Sequence, residues 1–187
     1  MTANINTKPT LTDGTLVLRA AQSGDLAGRL ALGNHYDIQK MFGVSERNFR
    51  PLTEEAAKAW LHDQMEQTHA WVITLEHRLI GAVRLHSIDY LDKCASLALA
   101  LLDPDCRGKG IGPRSLRLVA RHAFDTLQLH RLAMRVLHFN DAAMKAYAKV
   151  GFIQEGRERE SCHIDGTWHD DIIMGLLAPD FRALGAA

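Results

Sequence analysis

The sequence predicts an α/β fold of the mixed, α+β kind, with a central sheet of about seven strands and about four helices. Three observations carry that expectation. Short apolar or alternating runs recur along the chain at strand length. Amphipathic helical faces separate several of them. Past the middle, an apolar run enters a glycine-rich loop that opens directly into a helix.

Taken in order, Thr15 to Arg19 reads as the first strand. Ser23 is placed to cap a helix with Asp25 in its first turn and Leu26 and Leu30 on one face. An irregular stretch from Gly33 to Pro51 follows. Thr53 caps the next helix, whose stripe is Ala57, Trp60, Leu61 and Met65. Ala70 to Leu75 is a strand, and Leu79 to His86 pairs back on it. Asp92-Lys93 turns into the apolar run Leu97 to Leu102. After the loop, Leu116, Val119, Ala120, Ala123, Phe124 and Leu127 are spaced as one helical face. Leu132 to Leu137 is another strand. A short helix starts at Asn140 and stops at Gly151, a natural C-terminal residue. Phe152 to Ile164 and Thr167 to Leu177 flank Asp165-Gly166, a hairpin signal. Residues 1–13 are expected to be a flexible arm, 14–181 a single domain and 182–187 a tail.

The loop is the chemically informative stretch. Asp103-Pro104-Asp105 breaks the strand, and Arg107-Gly108-Lys109-Gly110-Ile111-Gly112 leads to Pro113 in the first helical turn. A helix start leaves N–H groups unpaired with partial positive charge, and glycines let an anion approach the backbone. Phosphate is the usual occupant of such a nest. A Walker loop needs Gly-Lys-Ser/Thr at its end, and a dinucleotide fingerprint needs a glycine where Pro113 stands. Both are excluded.

Arg107 to Gly112 fits Arg/Gln-x-x-Gly-x-Gly/Ala, and Asn140 to Phe152 fits Asn-x-x-Ala-x-x-x-Tyr-x-x-x-Gly-Phe. In this the chain resembles the GCN5-related N-acetyltransferase (GNAT) superfamily, and its tail resembles the branch of ribosomal-protein N-terminal and spermidine acetyltransferases. The resemblance implies a splayed sheet with a pantetheine arm in the gap, and acetyl-CoA as cofactor. It implies an N-acetyltransferase acting on a primary amine. The cofactor contacts it implies are Leu101, Leu102, Arg107, Gly108, Lys109, Gly110, Ile111, Gly112, Arg114 and Asn140. Tyr147 is the implied catalytic acid: a tyrosine near pKa ~10 is protonated at neutral pH and can donate to a leaving thiolate. A homodimer is compatible with that branch.

Composition narrows the partners. With 187 residues, 47% of them hydrophobic, the chain can bury a full core. Charges balance at 22 against 22, so there is no basic footprint for nucleic acid. Cys94, Cys106 and Cys162 are odd in number and form no C-x-x-C pair, which fits reduced thiols in a cytoplasm. Met1 to Thr12 lacks the apolar core of a signal peptide, and no stretch has the length of a membrane span. His163, His169, Asp170 and Asp171 are too loosely spaced to predict a metal site, and none is expected.

The acceptor side is less distinctive. Relatives often carry a glutamate on the strand before the loop, where this chain has Ser96-Leu97-Ala98-Leu99. His86, Asp89 and His138 are candidate bases, and Asp37 and Glu46 candidate pocket residues. The absent carboxylate favours an α-amino acceptor on a peptide, protein or small molecule. It also keeps open a non-catalytic acyl-CoA-binding module, while an aminoacyl-tRNA donor would need a basic surface.

Overall fold

The computed structural model describes residues 8–185. Along them run β1 (Leu11–Asp13), β2 (Leu16–Arg19), α1 (Asp25–Leu32), α2 (Tyr36–Gln39), α3 (Glu54–Glu66), β3 (Ala70–Leu75), β4 (Arg78–Asp89) and β5 (Cys94–Leu101). They continue with α4 (Ile111–Arg121), β6 (Arg131–Leu137), α5 (Asp141–Ala148), β7 (Ile153–Ile164), β8 (Thr167–Leu177) and α6 (Ala178–Gly185). Short 3-10 turns at Lys40–Phe42 and Glu46–Asn48 fill the stretch expected to be irregular. The eight strands form one sheet in the order β1-β2-β3-β4-β5-β6-β8-β7.

Neighbouring strands are antiparallel except β5 and β6. That parallel pair is short: Cys94, Ala95 and Ser96 stand opposite Arg131, Leu132 and Ala133. Beyond it, β5 continues to Leu101 and β6 to Leu137 without pairing, so the sheet opens into a wedge. β5 stays tied to β4, with Leu101 opposite Gly81, and β6 to β8, with Leu137 opposite Asp171. The splay expected from the resemblance is therefore a property of register.

The predicted apolar face of α4 is buried. Leu116, Val119, Ala120 and Phe124 pack with Leu97, Leu132 and Met134 in one core, each large side chain contributing about 1.5–3 kcal/mol. The helix leaves its α geometry through a π turn at His122–Thr126. In the β7–β8 hairpin Asp165 and Gly166 both take positive φ, 47° and 85°, as a two-residue Asp-Gly turn requires.

Several expectations are corrected. The sheet has eight strands because Leu11–Asp13, placed in the flexible arm, pairs with β2. Pro9 O accepts from Trp71 Nε1 at 2.8 Å, which ties down the chain just before it. Residues 1–7 of that arm lie outside the described residues. The tail expected from residue 182 continues α6 to Gly185, and residues 186–187 lie outside the described residues. Ser23 makes no capping bond; Gly24 is the N-cap. Asp25 does the local work instead, accepting from Gln22 N–H and pairing with Arg19 at 2.6 Å. On α3 Thr53 caps as expected, but Met65 is exposed and Gln64 is buried. No helix among the described residues is long and apolar enough to cross a membrane.

Candidate active site

The wedge between β5 and β6 opens into a cavity of about 550 Å³. Its walls come from the glycine loop, the start of α4, α5, the ends of β5 and β6, and the turn after α2. Each wall follows from local sequence. Asp103 Oδ1 accepts from Asp105 N–H, which ends β5 in a 3-10 turn at Pro104. The chain then reverses through Gly108 and Gly110, with φ of 73° and 74°, a region that costs an L side chain about 1–2 kcal/mol. Gly110 is the N-cap of α4.

Cys106 N–H and Arg107 N–H bond back to Asp103 O and Pro104 O, and the next loop amide with a backbone partner is Arg114 N–H, on Gly110 O. The amides of residues 108–112 thus donate to no other backbone group among the described residues, and Pro113 has none to offer. These free donors at a helix N-terminus are what a pyrophosphate needs. Cys106 is packing: it is buried, and burial first, then its bond to Asp103, push its thiol pKa up.

The gap itself supplies backbone groups. Leu102 N–H donates to Ile80 O at 2.8 Å, toward β4. Peptide groups alternate sides along a strand, so those of Leu99 and Leu101 face the gap. Both residues line the cavity. Leu102 does not, and its N–H is spent on the sheet, which corrects its expected place among the cofactor contacts. Leu99 was overlooked by the motif, although the two-residue strand period from Leu101 points to it.

Arg107, Gly108, Gly110, Ile111, Gly112, Asn140 and Tyr147 are brought together around the cavity. Lys109 is exposed and lies off its wall. Arg114 is drawn away: its Nε meets Asp13 Oδ2 at 2.6 Å and its Nη2 donates to Asp13 O at 2.7 Å. The strand formed by residues 11–13 therefore captures an arginine expected among the cofactor contacts. Asp37 lies off the cavity wall; it pairs with Arg107 at 2.6 Å, which ties α2 to the loop.

Asn140 accepts from Ala143 N–H at 3.2 Å as the cap of α5, worth about 1 kcal/mol. One face of α5 then carries Tyr147 into the cavity wall. Tyr147 is 7% exposed, and burial pushes its pKa up to about 12. Such a phenol is a weaker acid than a thiol near ~8.5, so it is suited to donate a hydrogen bond to a thiolate rather than surrender its proton outright.

Of the other candidates, Asp89 is a turn residue whose Oδ1 accepts from Leu91 and Asp92 N–H. Glu46 is exposed and tied through its own N–H to Asp165. His138 stacks on His169 at 5.4 Å, off the cavity, with Nδ1 buried and unpartnered. His86 stands opposite Ser96 in the β4–β5 register, at the point where the sheet opens. Desolvation, then Arg84, lowers its pKa below 6.5, leaving it neutral at pH 7. The cavity also takes in Arg135 on β6 and Asp171 on β8, residues no motif singled out.

Comparison with known proteins gives the same answer as the geometry. The family profile described as "Acetyltransferase (GNAT) domain" matches residues 15–153. A spermidine N(1)-acetyltransferase of Vibrio cholerae is 30% identical over 163 residues, 87% of this chain and 92% of the relative. A Bacillus subtilis protein named as a probable N-acetyltransferase, YjcK, is 35% identical over 116 residues, 62% of this chain and 64% of its own length. A crystal structure of Vibrio cholerae spermidine N-acetyltransferase in complex with CoA and spermine shares the fold, with a TM-score of 0.75 at 24% identity over 91% of this chain and 99% of that one. With its amide nest, opened sheet and matching profile, the chain belongs to the GNAT acetyltransferase family and is an acetyl-CoA-dependent N-acyltransferase.

Proposed function

We propose that the acceptor is a primary amine bearing a single positive charge, an α-amino group of a peptide, protein or small molecule in preference to a polyamine. One observation carries this: Asp171, the one carboxylate on the cavity wall among the described residues, is already engaged by Arg135, which it shares with Glu158. A polycation would find few free countercharges here. The named relatives include both acceptor types, spermidine for one and the alanine of ribosomal protein uS5 in Escherichia coli for another.

Proton economy supports the same choice. An α-amine near pKa ~7.8 is partly neutral at pH 7, whereas an alkylamine near ~10.4 costs about 3.5 kcal/mol more to deprotonate. No glutamate stands on β5 to offset that. A neutral His86, on β4 opposite Ser96 and off the cavity wall, takes the proton through water.

In this reading the free amides of residues 108–112 hold the pyrophosphate, beside Arg107, which lines the cavity and shares its charge with Asp37. The peptide groups of Leu99 and Leu101 hold the pantetheine arm, and a gap-facing N–H stabilises the oxyanion. Asn140 lines the same channel. Bound acetyl-CoA supplies an acetyl thioester, so that a nitrogen–carbon bond forms as the carbon–sulfur bond breaks and coenzyme A leaves. Tyr147 donates a hydrogen bond to the departing sulfur. The test is thiol release from acetyl-CoA at pH 7 with L-phenylalaninamide and with spermidine. A higher kcat/KM for phenylalaninamide is expected, and spermidine as the better substrate overturns the reading.

A further inference from the structure

We infer that Asp171 docks the acceptor's amine on arrival as an ammonium, which gives up its proton to water before it attacks, and that Arg135 sets the charge of that dock to accept one cation and no more. The inference rests on the singly charged acceptor proposed above and names the residues that select it.

Asp171 is on β8 opposite Leu137, the last residue of β6, so its side chain stands where the wedge is widest. It is the one carboxylate on the cavity wall among the described residues. Its side chain is only 14% exposed. Oδ2 accepts from Arg135 Nη2 at 2.8 Å, and Oδ1 accepts no hydrogen bond among the described residues. Oδ1 therefore has an unused acceptor position, which a cationic N–H donor can fill with a charge-assisted hydrogen bond.

Arg135 sits between two carboxylates. Its Nη2 lies 2.6 Å from Glu158 Oε2 and 2.8 Å from Asp171 Oδ2. One guanidinium against two carboxylates leaves a single uncompensated negative charge. An ammonium meeting Oδ1 neutralises it. A second ammonium finds no further net negative charge in this cluster, and the guanidinium repels it. The neighbouring wall is apolar, formed by Ile38, Met41, Phe42 and Leu137, with Phe42 largely exposed at the mouth. The chemistry that fits is a primary amine on a short apolar or aromatic stem.

The experiment uses wild type, Asp171→Asn, Asp171→Glu and Arg135→Met with L-phenylalaninamide and spermidine. Thiol release gives KM and kcat; calorimetry measures phenylalaninamide binding to the coenzyme A-saturated protein, and coenzyme A binding alone. A lost charge-assisted bond predicts about 10- to 100-fold weaker phenylalaninamide binding and higher KM in D171N, with coenzyme A affinity unchanged. D171E keeps the charge and retains binding. R135M raises kcat/KM for spermidine relative to phenylalaninamide by about tenfold or more. Wild type that fails to bind phenylalaninamide, D171N with wild-type binding, or R135M with an unchanged preference each overturns the inference. A D171N that loses coenzyme A affinity equally, or a D171E as weak as D171N, makes Asp171 structural and also overturns it. The acceptor reading itself fails separately, on wild type alone, if spermidine is the better substrate.

Discussion

Ser96 of β5 stands opposite Ala133 of β6, and this is the last pair before the two parallel strands part. The cavity-lining residues of β5 and β6 lie on the far side of that pair. The opening depends on β5 being held from behind by β4, where Gly81 stands opposite Leu101. A Cβ built on Gly81 runs into Ala100 O inside contact distance and comes within 3.1 Å of Leu101 Cα, both backbone atoms that cannot swing aside. Gly81→Ala is expected to destabilise the protein by about 1–3 kcal/mol, as overpacking does, and to weaken coenzyme A binding with it. Urea unfolding and calorimetry measure the two effects.

Gly110 and Gly112 differ in why they are glycine. Gly110 has φ of 74° with open space around a Cβ, so a side chain there is strained rather than obstructed. Gly110→Val should lower stability by roughly 1–2 kcal/mol and coenzyme A affinity by about tenfold or more, because the loop must leave the conformation that aims its amides. Gly112 needs no such φ, and its Cβ would rest 3.9 Å from Leu99 and 4.0 Å from Leu101. Gly112→Ala should fold with near-wild-type stability and still bind coenzyme A less well. Thermal melts beside calorimetric titrations separate the two glycines, and a G110V variant with wild-type affinity contradicts the loop assignment.

Tyr147→Phe removes the hydroxyl and keeps the ring packed against Phe152, 6.1 Å away. The expected result is a fall in kcat of about 10- to 100-fold, the worth of one hydrogen bond to a charged group, with coenzyme A affinity nearly unchanged. Because burial holds the phenol pKa up at about 12, wild-type rate should show no alkaline loss from this group below about pH 11. Steady-state kinetics from pH 6 upward check both statements, and an equally fast Y147F would reduce the residue to packing.

His122 predicts acid sensitivity. Its ring is buried edge-on to Trp71 at 5.6 Å, and Nε2 is buried without a partner. Desolvation, then His69 nearby, lowers its pKa from 6.5. The unfolded chain therefore binds the proton more readily than the folded one. Stability should be full above about pH 6.5 and fall as pH drops below that toward the folded value. His122→Phe keeps the aromatic contact and should flatten that slope, read from denaturant midpoints between pH 5 and 7.5.

Where the site was legible in advance, the signals were local. Three glycines, a proline and the apolar face of α4 lie within one short stretch, and the positive φ at Gly108 and Gly110 is what those glycines announce. Asn140 and Tyr147 share a helix whose cap and C-terminal glycine are written a few residues apart. Arg114 and Leu102 were misplaced for one physical reason. Each was assigned to the cofactor from the resemblance and its nearness to the loop, while its partner, Asp13 or Ile80, sits in another part of the sheet.

By itself, then, the sequence determined the order and kind of the elements, the amide nest at the start of α4 and the helix that carries Tyr147. These follow from backbone preferences and side-chain periods that act over a few residues. Only the tertiary structure decided where β5 and β6 separate, which arginines are consumed by ion pairs, and that Asp171 of β8 shares a cavity with Tyr147 of α5. Strand register and charge pairing are set by contacts between residues far apart in the chain, and no local pattern encodes them.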